Sequence, residues 1–303
     1  MKPSFLLETK SSRLHLDLEN GGSIRKLLLT SLKSKTTKEI ISKDDTKDYF
    51  LSGSYLLYPW VNRIASRFIN YKNQKILLEN ALCDTNDYPI HGLFFKSKRT
   101  LVKFEETNEY SYVTITSETF HPKFPELSET FLLYQDKLQI VTTFNNTTNS
   151  PQYFSYGYHP YFQLDSKINT CTLESNLDSV LPLRKDLLPE SYFLEGHRKY
   201  IFTDGDLINT LSLDHCFTNI NLSVDPFIRL RFPFTGESIC ISSKFSPDFI
   251  PLPYFQIYTP EDRKTIAIEP LSSSGNVFEN PITSPTEIAP QSSKKGQIEI
   301  LYE

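Results

Sequence analysis

Two short runs, far apart in the chain, carry the side chains best suited to moving protons. The first is Tyr156-Gly157-Tyr158-His159-Pro160-Tyr161-Phe162 and the second is Ile266-Ala267-Ile268-Glu269-Pro270. Read as a strand, Ser155, Gly157 and His159 point to one face while Phe154, Tyr156 and Tyr158 point to the other. In the second run Ala267 and Glu269 share a face, opposite Ile266 and Ile268. Each titratable group stands at a strand end, two positions after a small residue and directly before a proline that has no N–H to donate. An imidazole and a carboxylate placed in this way could serve as acid and base around a small flat ligand. A histidine at a strand edge also serves as a hydrogen-bonded edge residue, and Glu-Pro as a simple strand exit. Both readings stand at this level.

The elements that must position these groups are strands. Leu14, Leu16 and Leu18 alternate with polar residues, and Asn20-Gly21-Gly22 turns the chain into Ile24 and Leu27. Val113 and Ile115 alternate with Tyr112, Thr114 and Thr116. After a turn near Gln135-Asp136-Lys137, Leu138, Ile140 and Phe144 line one face of a long strand. Ile228, Leu230 and Phe232 alternate with Arg229 and Arg231, and Ile239 with Ile241 marks the next strand. No window of helical length repeats with a 3.6-residue period; the best helical stretch, Leu183 to Leu194, is interrupted by Pro189. Lys33 to Asp48 reads as an exposed loop, and Ser284 to Lys295 as an edge connection before a short last strand, Gln297 to Tyr302. The expected fold is all-β: one domain over residues 1–303, built from large antiparallel sheets.

Composition narrows the partners. The 303 residues are 39% hydrophobic and 22% charged with a net charge of −4, which disfavours nucleic acid or an anionic membrane as partner. No apolar run is long enough to span a bilayer, and the N-terminal apolar run is too short for a signal peptide. Cys83, Cys171, Cys216 and Cys240 are widely spaced and read as reduced thiols in a cytoplasmic protein. His15, His121 and His197 stand in no motif and are placed at the surface or in loops. Trp60, beside Pro59, reads as a core residue. A metal set of His91, His159, Asp214 and Glu269 lacks the paired local ligands of most zinc or iron sites, so neither a metal nor any other cofactor is expected.

In order along nearly the whole chain, several segments resemble those of the aldose 1-epimerase (galactose mutarotase) family. They are Glu19-Asn20-Gly21-Gly22, Pro59-Trp60-Val61-Asn62-Arg63-Ile64, His91-Gly92, Gly157-Tyr158-His159-Pro160-Tyr161-Phe162, Asp214-His215-Cys216-Phe217, and Phe255-Gln256-Ile257-Tyr258 followed by Ile268-Glu269-Pro270. The resemblance implies a large twisted antiparallel β-sandwich with a sugar held in a groove on one concave sheet. It implies that His159 is the general acid at the ring oxygen and Glu269 the general base at the anomeric hydroxyl. Asn62, Arg63, His91 and Asp214 would hold the sugar. The implied reaction interconverts the α and β anomers of an aldohexose such as glucose or galactose, without a cofactor, in a monomer or homodimer. Leu93 and Glu126 depart from the family pattern and are expected near the groove, where they would bear on which sugar is used. A hexose-6-phosphate 1-epimerase would need cations at the groove rim, with Arg67, Lys72 and Arg99 as candidates. A non-catalytic sugar-binding protein on the same fold is the remaining alternative.

Overall fold

The computed structural model describes residues 4–72, 74–107, 109–119, 121–164, 170–195, 202, 206–208, 211–219 and 223–303; His197 lies outside them. Two large antiparallel sheets make up most of the molecule. Among the described residues, one has twelve strands and the other nine. The twelve-stranded sheet runs from the edge strand Ser4–Glu8 through Arg13–Asp17, Ser23–Thr30 and Thr37–Ser42 to Tyr161–Gln163. It continues with Thr265–Leu271, Tyr254–Tyr258, Asp214–Thr218, Ser179–Leu181 and Leu194–Glu195. The nine-stranded sheet places Asp206–Leu207, Thr172–Ser175, Phe227–Phe232 and Glu237–Ser243 on one side of Ser292–Tyr302. On its other side lie Lys137–Asn146, Glu126–Leu133, Ser111–Ser117 and Arg99–Glu106. No helix among the described residues is long and apolar enough to cross a membrane.

Alternation along the strands assigns each side chain to a layer. In Lys137–Asn146 every second residue is buried, with Leu138, Ile140 and Phe144 in the main core as their spacing predicts. Thr265–Leu271 is buried on both faces. Ile266 and Ile268 enter the main core between the sheets, whereas Ala267 and Leu271 join a second cluster with Tyr55, Leu57, Val61, Phe95 and Tyr161. Burying each isoleucine stabilises the fold by about 1.5–3 kcal/mol, and that fixes the register. Glu269 is thereby turned away from the main core, because a one-residue slip would exchange it with an isoleucine.

Several expectations need correction. Lys33 to Asp48 is not all loop: Thr37–Ser42 is an inner strand, with Ile40 and Ile41 fully buried. Its pairing skips one residue opposite Leu27 and Leu28, and this bulge breaks the alternation that would have marked it. Lys38 is buried there as well, its ammonium 3.9 Å from the centre of the Phe232 ring. The last strand is neither short nor at an edge. It spans eleven residues, Ser292–Tyr302, and pairs on both sides. Its first half is polar because its side chains largely face solvent. Leu183 to Leu194 is interrupted as expected: the chain turns back, so that Leu183 bridges Pro189, and no helix forms. Pro270 does not end its strand either. It pairs opposite Phe255, and the ladder runs on to Leu271.

Candidate active site

The His159 segment is three short strands rather than one: Gln152–Phe154, Gly157–Tyr158 and Tyr161–Gln163. The break at His159-Pro160 is stitched by His159 N–H donating to the Tyr55 carbonyl at 3.0 Å and Tyr161 N–H to that of Gly53 at 2.9 Å. The alternation survives, so Phe154, Tyr156 and Tyr158 fill the core and His159 faces the other way. Gly157 is no low floor beside the imidazole, however. A Cβ there would meet Leu271 Cδ2 and the Pro270 carbonyl oxygen at 2.5 Å, so the glycine serves close strand packing. Ser155 is likewise sealed, its Oγ accepting from Val61 N–H at 3.2 Å.

His159 is sandwiched between two aromatic rings, Tyr55 at 4.9 Å and Tyr161 at 4.8 Å, both nearly parallel to it. The ring of His91 meets it edge to face at 5.4 Å. Its Nε2 lies 3.1 Å from Oε1 of Glu269, and the two residues are 5% and 2% exposed. Arg63 is held by Asp84, whose Oδ2 accepts from Nε at 2.6 Å, and by Oδ1 of Asn62 at 3.2 Å from Nη1. Asp84 is itself fixed, because its Oδ1 accepts from the N–H groups of Asn86 and Tyr88. Asp214 opens the strand Asp214–Thr218 and accepts at Oδ1 from Gln256 Nε2 at 2.6 Å. Asn62 and His91 both hold left-handed backbone, φ 49° and 63°, and are tied together by His91 N–H to the Asn62 carbonyl. Non-glycine residues in that region carry strain of about 1–3 kcal/mol each and gather at functional sites.

These pieces meet in one cavity of about 300 Å³. Its lining includes all six residues singled out from the sequence: Asn62, Arg63, His91, His159, Asp214 and Glu269. Sequence reasoning did not single out Phe50, Leu51, Ile90, Tyr161, Gln256 and Tyr258, which complete the wall. Gln256 and Tyr258 were within reach: they share a strand face, and Gln256 pairs directly opposite Glu269. Phe50 and Leu51 lie on a turn of 3-10 helix, Tyr49–Leu51, and Asp84 on a loop, so no periodicity announced them. Leu93 and Glu126 are not in the lining. Leu93 packs partly buried against the main core, and Glu126 opens a strand of the opposite sheet. A larger cleft, about 460 Å³ beside Lys72 and Lys123, has neither imidazole nor carboxylate in its lining.

Burial sets the electrostatics. Desolvation, then the neighbouring His91, pushes the His159 pKa well below the usual histidine range. Desolvation, then Asp214, pushes Glu269 well above the carboxylate range, and Arg63 partly opposes this. Burial also lowers His91 to about 3, with Arg63 adding to the effect. Four buried polar atoms here have no hydrogen-bond partner: Nδ1 of His91 and His159, Oε2 of Glu269 and Oε1 of Gln256. Interiors seldom leave such atoms unpaired, so their clustering marks a place built for something other than stability. Among the described residues no three of His, Cys, Asp and Glu stand close enough to hold a metal ion together.

One consequence is measurable. The unfolded chain binds a proton at residue 91 below pH ~6.5, while the folded protein resists until about 3. Stability contributed by neutral His91 is therefore full above ~6.5 and is lost as pH falls toward 3. The residue is only partly buried, so the effect is discounted to about 1–2 kcal/mol between pH 8 and pH 5. Urea unfolding of wild type and His91→Asn at both pH values should show the gap between them shift in the variant's favour by that amount at pH 5. An unchanged gap would mean that His91 is not held neutral.

The family model described as aldose 1-epimerase matches residues 27–296. The chain belongs to the aldose 1-epimerase family. Solved structures agree on the fold. A galactose mutarotase-like protein from Clostridium acetobutylicum superposes with a TM-score of 0.81 at 17% identity, over 99% of this chain and 94% of that one. An aldose epimerase homologue from C. elegans gives 0.77 at 13% identity, over 99% of each chain. A galactose 1-epimerase from Lactobacillus acidophilus NCFM gives 0.73 at 15% identity, over 99% of this chain and 94% of that one. At such identities the likeness speaks for the aldose 1-epimerase fold alone. No curated protein sequence matches the chain.

Proposed function

We propose that this aldose 1-epimerase family member interconverts the anomers of a neutral aldohexose, such as glucose or galactose, with His159 and Glu269 as the proton-transfer pair. The observation that carries this reading is the 3.1 Å contact of His159 Nε2 with Glu269 Oε1 inside a cavity lined by Arg63, His91 and Asp214. Its volume of about 300 Å³ lies at the low end for small-molecule pockets, suited to one sugar ring. The anomeric O1–H proton passes to the Glu269 carboxylate while the His159 imidazolium delivers one to the ring oxygen. The C1–O5 bond breaks, C1=O1 forms, C1 rotates, and closure on the other face reverses both transfers. Burial disfavours both charged forms and so favours the neutral imidazole and carboxyl in the unliganded pair. One proton crossing the gap between them makes the imidazolium and carboxylate without exchange with bulk water. Arg63 favours that carboxylate, and its guanidinium with Asn62, His91 and Asp214 would hold the hydroxyls. No step asks for a metal or a nucleotide.

A phosphorylated hexose fits less well. Arg99 is buried against Glu129, Arg67 pairs with Asp87 and Lys72 with Glu287, and none of the three lines the cavity. A phosphate in the cavity would face the carboxyl groups of Asp214 and Glu269, and the Arg63 guanidinium there is already paired with Asp84. Polarimetry on freshly dissolved α-D-glucose, α-D-galactose and their 6-phosphates tests both readings. Accelerated mutarotation of a neutral sugar is expected. Acceleration of the 6-phosphates alone would replace the substrate, and acceleration of none would favour a sugar-binding role.

The pH profile follows from the two shifts. His159 takes a second proton only well below its usual range, and Glu269 gives up the last one only well above its own. The pair therefore holds one proton across the neutral region. We expect kcat/KM to form a flat plateau that continues below pH ~6.5, the ordinary histidine midpoint. A profile that halves near pH ~6.5 would mean that an unperturbed imidazole controls the rate.

A further inference from the structure

On the core side of the chain from His159 lies a buried charge pair that the proton-transfer chemistry does not use. Arg99 and Glu129 are each 1% exposed, with Arg99 Nε donating to Glu129 Oε2 at 3.0 Å. The other carboxylate oxygen, Oε1, accepts from the Tyr158 hydroxyl at 2.7 Å. That leaves the tyrosine oxygen, 2.8 Å from Thr142 Oγ1, to accept from the threonine. At its far end the guanidinium donates from Nη1 to the Ser97 carbonyl at 2.8 Å and from Nη2 to the Phe94 carbonyl at 3.4 Å. The network thus reaches both segments that carry the cavity's imidazoles: Tyr158 precedes His159, and Phe94 follows His91-Gly92. Ions buried in this way are expensive to desolvate, and apolar residues of like shape often serve stability as well or better. The backbone ties the histidine by its own N–H to the Tyr55 carbonyl, but that bond fixes the main chain and not the ring. The strand Gly157–Tyr158 is two residues long, and Pro160 has no N–H to extend it.

We infer that Arg99, Glu129 and Tyr158 are positioning residues, setting His159 through the Tyr158 side chain and His91 through the Phe94 carbonyl. This rests on the proposed roles of His159 in proton transfer and His91 in holding the sugar. Tyr158 is the informative place to cut, because Tyr158→Phe keeps the ring in the core and removes only the hydroxyl. Mutarotation kinetics on this variant should show kcat reduced by about 10- to 100-fold, the scale of an ångström-sized misplacement. KM should stay within about threefold, since the groups that hold the sugar are untouched. The imidazole ¹⁵N resonances of His159, assigned with His159→Asn, should move. The apolar combination R99M/E129L/Y158F guards against a merely structural role. It should melt close to wild type and still show the loss in kcat. Wild-type kcat with unmoved His159 resonances in Tyr158→Phe, or full activity in the folded triple variant, would overturn the inference. If wild type shows no mutarotation, or His159→Asn matches it, the proton-transfer reading fails. The resonances in Tyr158→Phe then decide the positioning role alone.

Discussion

Glu269→Gln is expected to bind sugar as wild type does and to lose about 10²–10⁴-fold in kcat, the usual contribution of one positioned acid or base. The amide has nearly the volume of the carboxyl and keeps a hydrogen bond, so the buried site should not collapse. It cannot take a proton from the anomeric hydroxyl. Wild-type Glu269 is 2% exposed, so bulk water has poor access to replace it. His159→Asn should fall by a similar factor, since the proton for the ring oxygen then has no donor. Because the two groups lie 3.1 Å apart and act as a unit in the proposed reaction, the double variant should be little worse than either single one. Polarimetric kinetics beside calorimetric sugar titration on the three variants would show this. Near-wild-type kcat in Glu269→Gln would remove the carboxylate from the chemistry.

The second large effect concerns backbone. At Gly92, φ is +81°, and a Cβ would lie 2.0 Å from the Tyr58 carbonyl oxygen and 2.3 Å from its carbon. That oxygen already accepts from the N–H groups of Leu93 and Phe94 at 2.8 and 3.2 Å, which folds the segment back under His91. Gly92→Ala must therefore push apart the two chains that present His91 and Asn62. A destabilisation of about 3 kcal/mol or more is expected, in the range that only core clashes and lost networks reach. Gly236 is the control. Its φ is +72°, but a Cβ there meets nothing within 4 Å, so Gly236→Ala should cost only the left-handed penalty of about 1–2 kcal/mol. Equal urea midpoints for the two alanine variants would show that the contact with Tyr58 relaxes freely.

Sheet architecture was legible wherever one face of a strand is wet, as in Lys137–Asn146, because solvent imposes the two-residue period. It was obscured where a bulge interrupts the period, as at Ile40 and Ile41, and where polar residues occupy an inner strand, as at Ser292. At the candidate site, titratable residue types directly before prolines drew attention to His159 and Glu269, and the motif resemblance supplied Asn62, Arg63, His91 and Asp214. What could not be read were contacts made across loops. Asp84 reaches Arg63 from a segment without periodicity, and the Tyr158–Glu129–Arg99 chain joins three strands whose pairing no local pattern specifies. A tyrosine and an arginine at such positions look like ordinary core and surface residues until the two sheets are laid together.

The inner place of Ser292–Tyr302 also bears on how the molecule comes into being. In the nine-stranded sheet, the strands within residues 99–146 can zip together as they leave the ribosome, and so can that sheet's strands within residues 172–243. Each group then presents a bare rim, at Lys137–Asn146 and at Glu237–Ser243, waiting for a segment made long afterwards. Contacts of such long sequence separation form slowly, and open strand rims invite pairing with other chains in the interval. Loss of this segment would not merely shorten a sheet: it would leave two half-sheets with sticky borders, a species prone to aggregate during synthesis.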